Sequence, residues 1–553
     1  MAPRPPQRSQ FGNVQPVWCL DLTYGGRVYR VATQPVDIDQ TDGSVLHYAD
    51  GLSEPAVIDE TSREGINTSG SIPLTVILDG VVIAEQVARG HRLEAARGHL
   101  FMVLADITTG RANQSAETVF PVLTGRLSNF AYAGHDRVDG WLAFKLEDDP
   151  GDDTSLLLDS DAVINDETWS SAPSTSAGKI YPVVIGTPGV FRKSSGEAST
   201  TSGSPAYVVE VTGADADTLL IAGHAVLADT VTVFDADGAS ESFNVTGTVD
   251  GLGRLVATLD VSGASSIDLT LREFWVCWNG GAGLASPFGA GALSGLGDVC
   301  AWALLRTSLP VDIEAWIAES GVLNRVEIST YINESKLTPW SYVARLLDGL
   351  FVEVRPGPMG LYPHGRVLDL AMAEGLATLI EGPELEPAGP MISRGQLSDV
   401  INQVTIRFAP RARTGDFKRR VIVGPEADAS NPEAFTDEYA VMSVNRWSTD
   451  PANPVIQAES IDLPHIYDES SAALIARERV RLLGLGYETR AYLADPRLGW
   501  VMAGDQLRLE SESLYRTMLA TVASKEWTGS AWALVFEFDN DPIRVSSLKK
   551  SGA

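Results

Sequence analysis

Cysteine is scarce in this chain, with three residues in 553: Cys19, Cys277 and Cys300. They are too few and too scattered for a disulfide framework, and no CxxC pair is present to hold zinc. Free buried thiols, as in a protein folded in a reducing cytoplasm, are the expectation. Positive charge is also short, with Lys+Arg 42 against Asp+Glu 72 and a net charge of -30. A surface this negative repels duplex phosphate and excludes tight nucleic-acid binding through counterion release. The longest uncharged stretch, 274–297, carries glycines at 280, 281, 283, 289, 291, 295 and 297, which make a poor membrane helix and predict a loop. The first ten residues include Arg4 and Arg8 but no apolar h-region, so they read as a frayed arm, free to order on a neighbour, rather than as a secretory signal.

Catalytic signatures are missing as well. Seven histidines (47, 91, 99, 135, 224, 364, 465) form neither HExxH nor HxxxH. Gly291-Ala292-Leu293-Ser294-Gly295 lacks the GxSxG spacing of a nucleophile elbow, and no GxGxxG or GK[ST] phosphate loop occurs. With 72 acids, any pair of carboxylates is uninformative without geometry. The acidic run 147–167 fits no EF-hand and reads as a solvated loop. No catalytic residue, metal or cofactor is assigned, and the expectation is a protein that is not an enzyme.

What is present is ordinary globular material: 44% hydrophobic, 21% charged, 51 glycines and 30 prolines, enough chain for several domains. The first ~150 residues read as strands. Leu74–Leu78 and Val81–Ala84 flank Asp79-Gly80, a type I′ hairpin signal. Residues 207–276 carry dense strand signals with Asp-Gly turns at 237–238 and 250–251, predicting a small sandwich or barrel inserted into something larger. From 298 the period becomes helical. Asp312 caps a run ended by Gly321, and Thr338-Pro339 starts a helix with Trp340, Val343, Leu346, Leu347 and Leu350 on one face. The last ~155 residues are strands with one clear helix, in which Ala472, Ile475, Ala476, Arg479, Val480 and Leu483 follow Asp468 and Gly484 ends the run.

Two clusters stand out. The basic one, Arg407–Arg420, contains Arg411, Arg413, Lys418, Arg419 and Arg420 against a single Asp416. It is either a contact for an acidic partner or a neighbouring copy, or a solvated hairpin tip. The apolar one is Leu284, Phe288, Leu293 and Leu296 in the Gly-rich stretch. It is either a channel constriction or membrane-contacting loop, or a buried inter-domain loop.

Several segments in order resemble the central hub proteins of bacteriophage tails, found at the baseplate or tail tip. Gly178-Lys179-Ile180-Tyr181-Pro182-Val183-Val184-Ile185-Gly186 is similar to the stretch before the inserted module of such hubs. Gly297–Leu305, Asp312-Ile313, Thr338-Pro339 and Gly360-Leu361-Tyr362-Pro363 follow the order of the hub's mixed α/β domain. Ser398–Ile406, Ser460–Pro464 and Gly504-Asp505-Gln506-Leu507-Arg508-Leu509 resemble strands of a tube-like domain. The resemblance spans roughly 14–545, and its weight lies in the order of short motifs.

The resemblance implies a mainly β, multidomain chain: two tail-tube-like β-barrel domains, an inserted small all-β module and a mixed α/β domain. The expected division is an arm (1–13), an N-terminal barrel (14–177) open to being discontinuous, a linker (178–204), the inserted module (205–276), the Gly-rich apolar loop (277–297), the mixed domain (298–394), a C-terminal barrel with one helix (395–546) and a tail (547–553). It further implies a homotrimer within the virion, assembled in the host cytoplasm. Such a hub caps the tail tube, nucleates tail assembly and forms the DNA ejection channel. Its partners would be the tail tube or distal tail ring, the tape-measure C-terminus, and tail fibres or other baseplate proteins, with DNA passing the lumen without tight binding. Strong acidity agrees, because a negative wall keeps a passing polyanion from sticking. Two other readings stand beside it: a receptor-binding tail protein recognising surface glycans, and a tail-associated cell-wall or polysaccharide hydrolase.

Overall fold

A computed structural model describes residues 14–539 apart from internal stretches, the longer of them being 67–71, 79–85, 134–139, 148–154, 366–376, 395–399, 426–433 and 449–453. The N-terminal arm, the tail, the Asp79-Gly80 turn with its second strand, and much of the acidic run lie outside the described residues. The chain is mainly β and multidomain.

The first ~150 residues build a nine-stranded sheet in the order Ile72–Leu78, Gly140–Glu147, Val119–Ala133, Arg97–Asp106, Val14–Tyr24, Arg27–Ala32, Val45–Asp50, Val36–Asp39, Arg111–Asn113. Its ends meet. Residues 51–53 bond on one side to Ala32 (Leu52 N to O, 2.9 Å) and on the other to the first strand (Ile77 N to Gly51 O, 2.7 Å; Ser53 N to Thr75 O, 2.9 Å), which closes a barrel. Val14–Tyr24 is apolar on both faces for a reason: Trp18, Leu20 and Leu22 enter one core, while Val17 and Cys19 enter a second with Val36, Ile38 and Tyr48.

The C-terminal residues form a curved sheet of Thr378–Ile380, Gln506–Ser511, Arg516–Trp527, Trp532–Asp539, Tyr487–Ala494 and Leu385–Pro387, whose edges come together at the Glu381–Leu385 bridge. An N-terminal strand, Asp59–Thr61, adds to Arg516–Trp527. This sheet and the first barrel share one core. At its centre Trp18 meets Trp527 at 5.6 Å and Trp532 at 6.0 Å between ring centroids, in edge-to-face geometry.

Residues 204–277 form a seven-stranded module in the order Ser240–Asn244, Thr230–Asp235, Phe274–Cys277, Ser204–Thr212, Asp215–Ala222, Leu255–Asp260, Thr246–Val249. The two outer strands are consecutive in the chain, so the module folds round its own core of Val208, Leu219, Val231, Val233, Leu259 and Trp278. The turn at 250–253 is held by Asp250, which accepts from the amides of Leu252 (3.0 Å) and Arg254 (2.9 Å), the Arg254 guanidinium (2.9 Å) and the Tyr181 hydroxyl (3.0 Å).

Residues expected to lie in one C-terminal barrel divide between two cores. The stretch 403–484 contributes a four-stranded sheet, Ala434–Thr436, Phe417–Gly424, Gln403–Pro410 and Ala458–Leu463, which packs with the helices Leu296–Leu304, Ile313–Leu323 and Pro339–Leu347. The helix Glu469–Gly484, capped by Asp468, lays Ala472, Ile475, Ala476 and Val480 on that sheet. Arg479 lies in the same stripe because it is neutralised there. It reaches Glu459 through two bonds (2.8 and 2.9 Å) and the Gly349 carbonyl at 2.6 Å.

Three helix expectations need correction. Glu438–Trp447 is a second helix in the C-terminal part, capped by Asp437. Ile313–Leu323 runs through Gly321, where one glycine is a small cost against the burial of Trp316 and Leu323, and it leaves Ile317 53% exposed. The Gly-rich stretch is not loop throughout: it starts in the strand Phe274–Cys277, and the helix Leu296–Leu304 includes Gly297. No described helix is long and apolar enough to cross a membrane.

Candidate functional site

The basic cluster is a hairpin whose strands, Gln403–Pro410 and Phe417–Gly424, set Arg407 opposite Arg420 and Phe408 opposite Arg419. Alternation sends successive residues to opposite faces, so the charges do not act as one patch. Arg407 is bidentate to Asp462 (2.6 and 2.7 Å). Arg419 lies 4.5 Å over the Phe191 ring and Arg413 5.9 Å over Trp275. The tip docks on the strand leading into the inserted module: Ala412 N donates to Ser202 O (2.9 Å) and Lys418 Nζ to Thr200 O (3.2 Å). Burial, then Arg411 and Arg419, hold the Lys418 ammonium below the ordinary lysine range. Arg411, Arg413 and Arg420 are exposed.

The apolar cluster turns inward. Leu293 and Leu296 are 0% and 2% exposed in the helical core, and Leu284 and Phe288 pack half-buried on it. Ala285 bridges Ala292, and the segment is stitched to 184–186 by Leu284 N to Val184 O (2.8 Å) and Gly186 N to Leu293 O (3.0 Å). Gly283 is required by this close approach, since a Cβ there would lie 2.3 Å from the Val184 carbonyl oxygen. Within the single chain, then, Leu293 and Leu296 are buried and Leu284 and Phe288 are partly covered.

A third feature was not found by sequence reasoning. A cleft of about 580 Å³ opens between the helix Pro339–Leu347, residues 330–337, the tip of the basic hairpin and the turn 462–467. His465 lines it and is 6% exposed. Burial pushes its imidazole down to about 4, so it is neutral at neutral pH. Tyr342, also lining the cleft and 6% exposed, has a buried hydroxyl without a hydrogen-bond partner. Tyr331 and Phe417 are half-buried in the walls. Of the charged groups around it, Arg345 is bidentate to Glu334 (2.6 and 3.1 Å) and Asp462 is taken by Arg407, while Asp348 and Arg411 also line it. A lone histidine after Leu463-Pro464 carries no motif, so only the fold could bring these groups together.

The three thiols are buried and unpaired, and burial pushes Cys277 up to about 11. Among the described residues no group of three or more His, Cys, Asp or Glu is arranged to hold a metal.

No protein family and no curated protein matches the chain. Solved structures similar to it include the 43 kDa tail protein of prophage MuSo2 from Shewanella oneidensis, with a TM-score of 0.35, 10% identity, and coverage of 95% of this chain and 99% of that one. A tail protein from Neisseria meningitidis MC58 is similar at a TM-score of 0.34 and 8% identity, over 95% of this chain and 97% of that one. A chain from the virion of a native gene transfer agent particle is similar at a TM-score of 0.36 and 12% identity, over 68% of this chain and 88% of that one.

Proposed function

We propose that the chain is a structural component of a phage-type tail, and specifically its central hub: a homotrimer that caps the tail tube, nucleates tail assembly and forms the ejection channel. The observation that carries the reading is the pairing of a closed N-terminal barrel with a C-terminal sheet over one core. A chain that offers two such sheets side by side supplies six in a trimer, the number a sixfold tube requires. The ordered hub-like motifs and the net charge of -30 support it independently. In this reading Arg411 and Arg420, two exposed members of the basic cluster, meet acidic neighbours in the tail. Arg413, Lys418 and Arg419 hold the hairpin in place.

Light scattering at low micromolar concentration tests the assembly, with a mass of three times 59.1 kDa expected. Electron microscopy of tail tubes incubated with the purified chain tests its location at the tube end. A chain that stays monomeric and leaves tube ends bare refutes the hub.

A further inference from the structure

One tip of the inserted module is left without a role by the hub reading. Its strands Thr246–Val249 and Leu255–Asp260 are joined by the turn 250–253, with Val249 opposite Leu255. Val249, Leu252 and Leu255 are 59%, 53% and 52% exposed. Leu255 lies on the same face of its strand as Ala257 and Leu259 of the module's core, so the core's apolar surface runs out into the open here. Single exposed aliphatics are ordinary, but three around one turn mark a contact surface. The turn is set before any partner arrives: the Asp250 carboxylate accepts from the amides of Leu252 and Arg254, and Gly251 N donates to Thr168 O at 3.0 Å. That last bond brings the segment 159–168 alongside. It carries Asp159, Asp161, Asp166 and Glu167, all exposed, and Asp159 reaches Arg254 at 3.7 Å. In 155–181 and 246–255 the cations are Lys179 and Arg254, and Arg254 is held by Asp250 and Asp159. An apolar tip with a carboxylate collar fits a partner segment that is apolar and basic and carries no acid.

The chain has such a segment in residues 1–13, which combine Arg4 and Arg8 with Met1, Phe11 and three prolines and contain no Asp or Glu. Pro3, Pro5 and Pro6 bias this sequence toward extended backbone, which lowers the entropy lost on docking. Fully extended, it spans up to about 45 Å from Val14. We propose that the N-terminal arm, residues 1–13, docks on this hairpin tip, with Phe11 against Val249, Leu252 and Leu255 and with Arg4 and Arg8 on the collar carboxylates. The contact does not rest on the hub reading.

The test places the photo-cross-linker p-benzoylphenylalanine at position 11 of the full chain and maps its products by mass spectrometry. Cross-links to 246–257 or 159–168 are expected, whether within one chain or between copies. Leu252→Asp, and separately about 0.5 M NaCl, should each lower their yield about threefold or more. Should Leu252→Asp unfold the module, Asp161→Asn with Asp166→Asn and Glu167→Gln in the collar provides the same readout. Hydrogen exchange is the second measurement: with Arg4→Glu and Arg8→Glu together, the amides of 246–255 should exchange about fivefold faster than in the wild type while circular dichroism stays unchanged. Cross-links that fail to form or map elsewhere overturn the proposal, as does exchange at 246–255 that is indifferent to the arm's charges. Protection there that grows with concentration and survives Arg4→Glu with Arg8→Glu makes the tip a contact for another surface of a second copy, and likewise overturns it.

Discussion

Replacing Trp18 tests whether the two ends of the chain are one mechanical unit. Trp18 sits on the strand Val14–Tyr24 of the N-terminal barrel, is 2% exposed, and touches Trp527 and Trp532 of the C-terminal sheet, which themselves lie 4.9 Å apart. Its Nε1 has no hydrogen-bond partner, so what Ala removes is apolar packing. A Trp→Ala change at such a site costs roughly 3–5 kcal/mol. At ~1.4 kcal/mol per tenfold, that is about two to three and a half orders of magnitude in the equilibrium for opening. Native-state hydrogen exchange with mass spectrometry reads it directly. In Trp18→Ala, protection should fall by that factor in 516–527 and 532–539 as well as in 14–24. Trp18→Phe, which keeps a ring in the gap, should recover much of the loss. If 14–24 opens while 516–539 keeps its protection, the shared core does not couple the two sheets and the reasoning fails.

The inserted module and the Gly-rich segment give sharper local predictions. Asp250→Asn should destabilise the module by roughly 2–3 kcal/mol at pH 7, because it replaces charge-assisted bonds to Arg254 and Tyr181 by neutral ones. Burial works against the ionised Asp250, but the Arg254 amide and guanidinium and the Tyr181 hydroxyl outweigh it and hold its carboxyl below the usual range. A lowered folded value means the contribution is present above the unfolded value of ~3.9 and is lost as pH falls through the folded one. The melting gap between wild type and Asp250→Asn should therefore close below about pH 4, and a gap that widens there contradicts the assignment. Gly283→Ala should cost about 1–3 kcal/mol in a thermal melt, since its Cβ meets the backbone oxygen of Val184, which has no rotamer with which to yield. Ala at Gly289, where no neighbour stands within 4 Å, is the neutral control.

Local signals in the sequence were read correctly where one or two side chains decide the outcome. Thr338 with Pro339 and Ser341 makes a capping box, and Asp468 caps the helix ended by Gly484, because a cap is a bond between residues three apart. Gly-rich text was misread as loop at Gly297, where burial of Val299, Cys300 and Trp302 outweighs helix propensity. The helix Glu438–Trp447 was missed although Asp437 stands at its cap, since its apolar face is short.

By itself the sequence determined the class of this protein: a mainly β, multidomain, acidic chain with an inserted β module and no local motif for catalysis. Composition, alternation and turn chemistry act over a few residues, so they survive in linear text. Only the tertiary structure decided which strands share a core. Asp59–Thr61 joins a sheet more than 450 residues away, and 403–484 leaves its sequence neighbours to pack on the helices around Trp302 and Trp316. Only the fold turned Leu293 and Leu296 inward, divided the basic cluster between internal contacts and an exposed remainder, and set His465 beside Tyr342 on a cleft. Such pairings are chosen by the burial of whole faces, a quantity summed over distant residues that no local window of sequence contains.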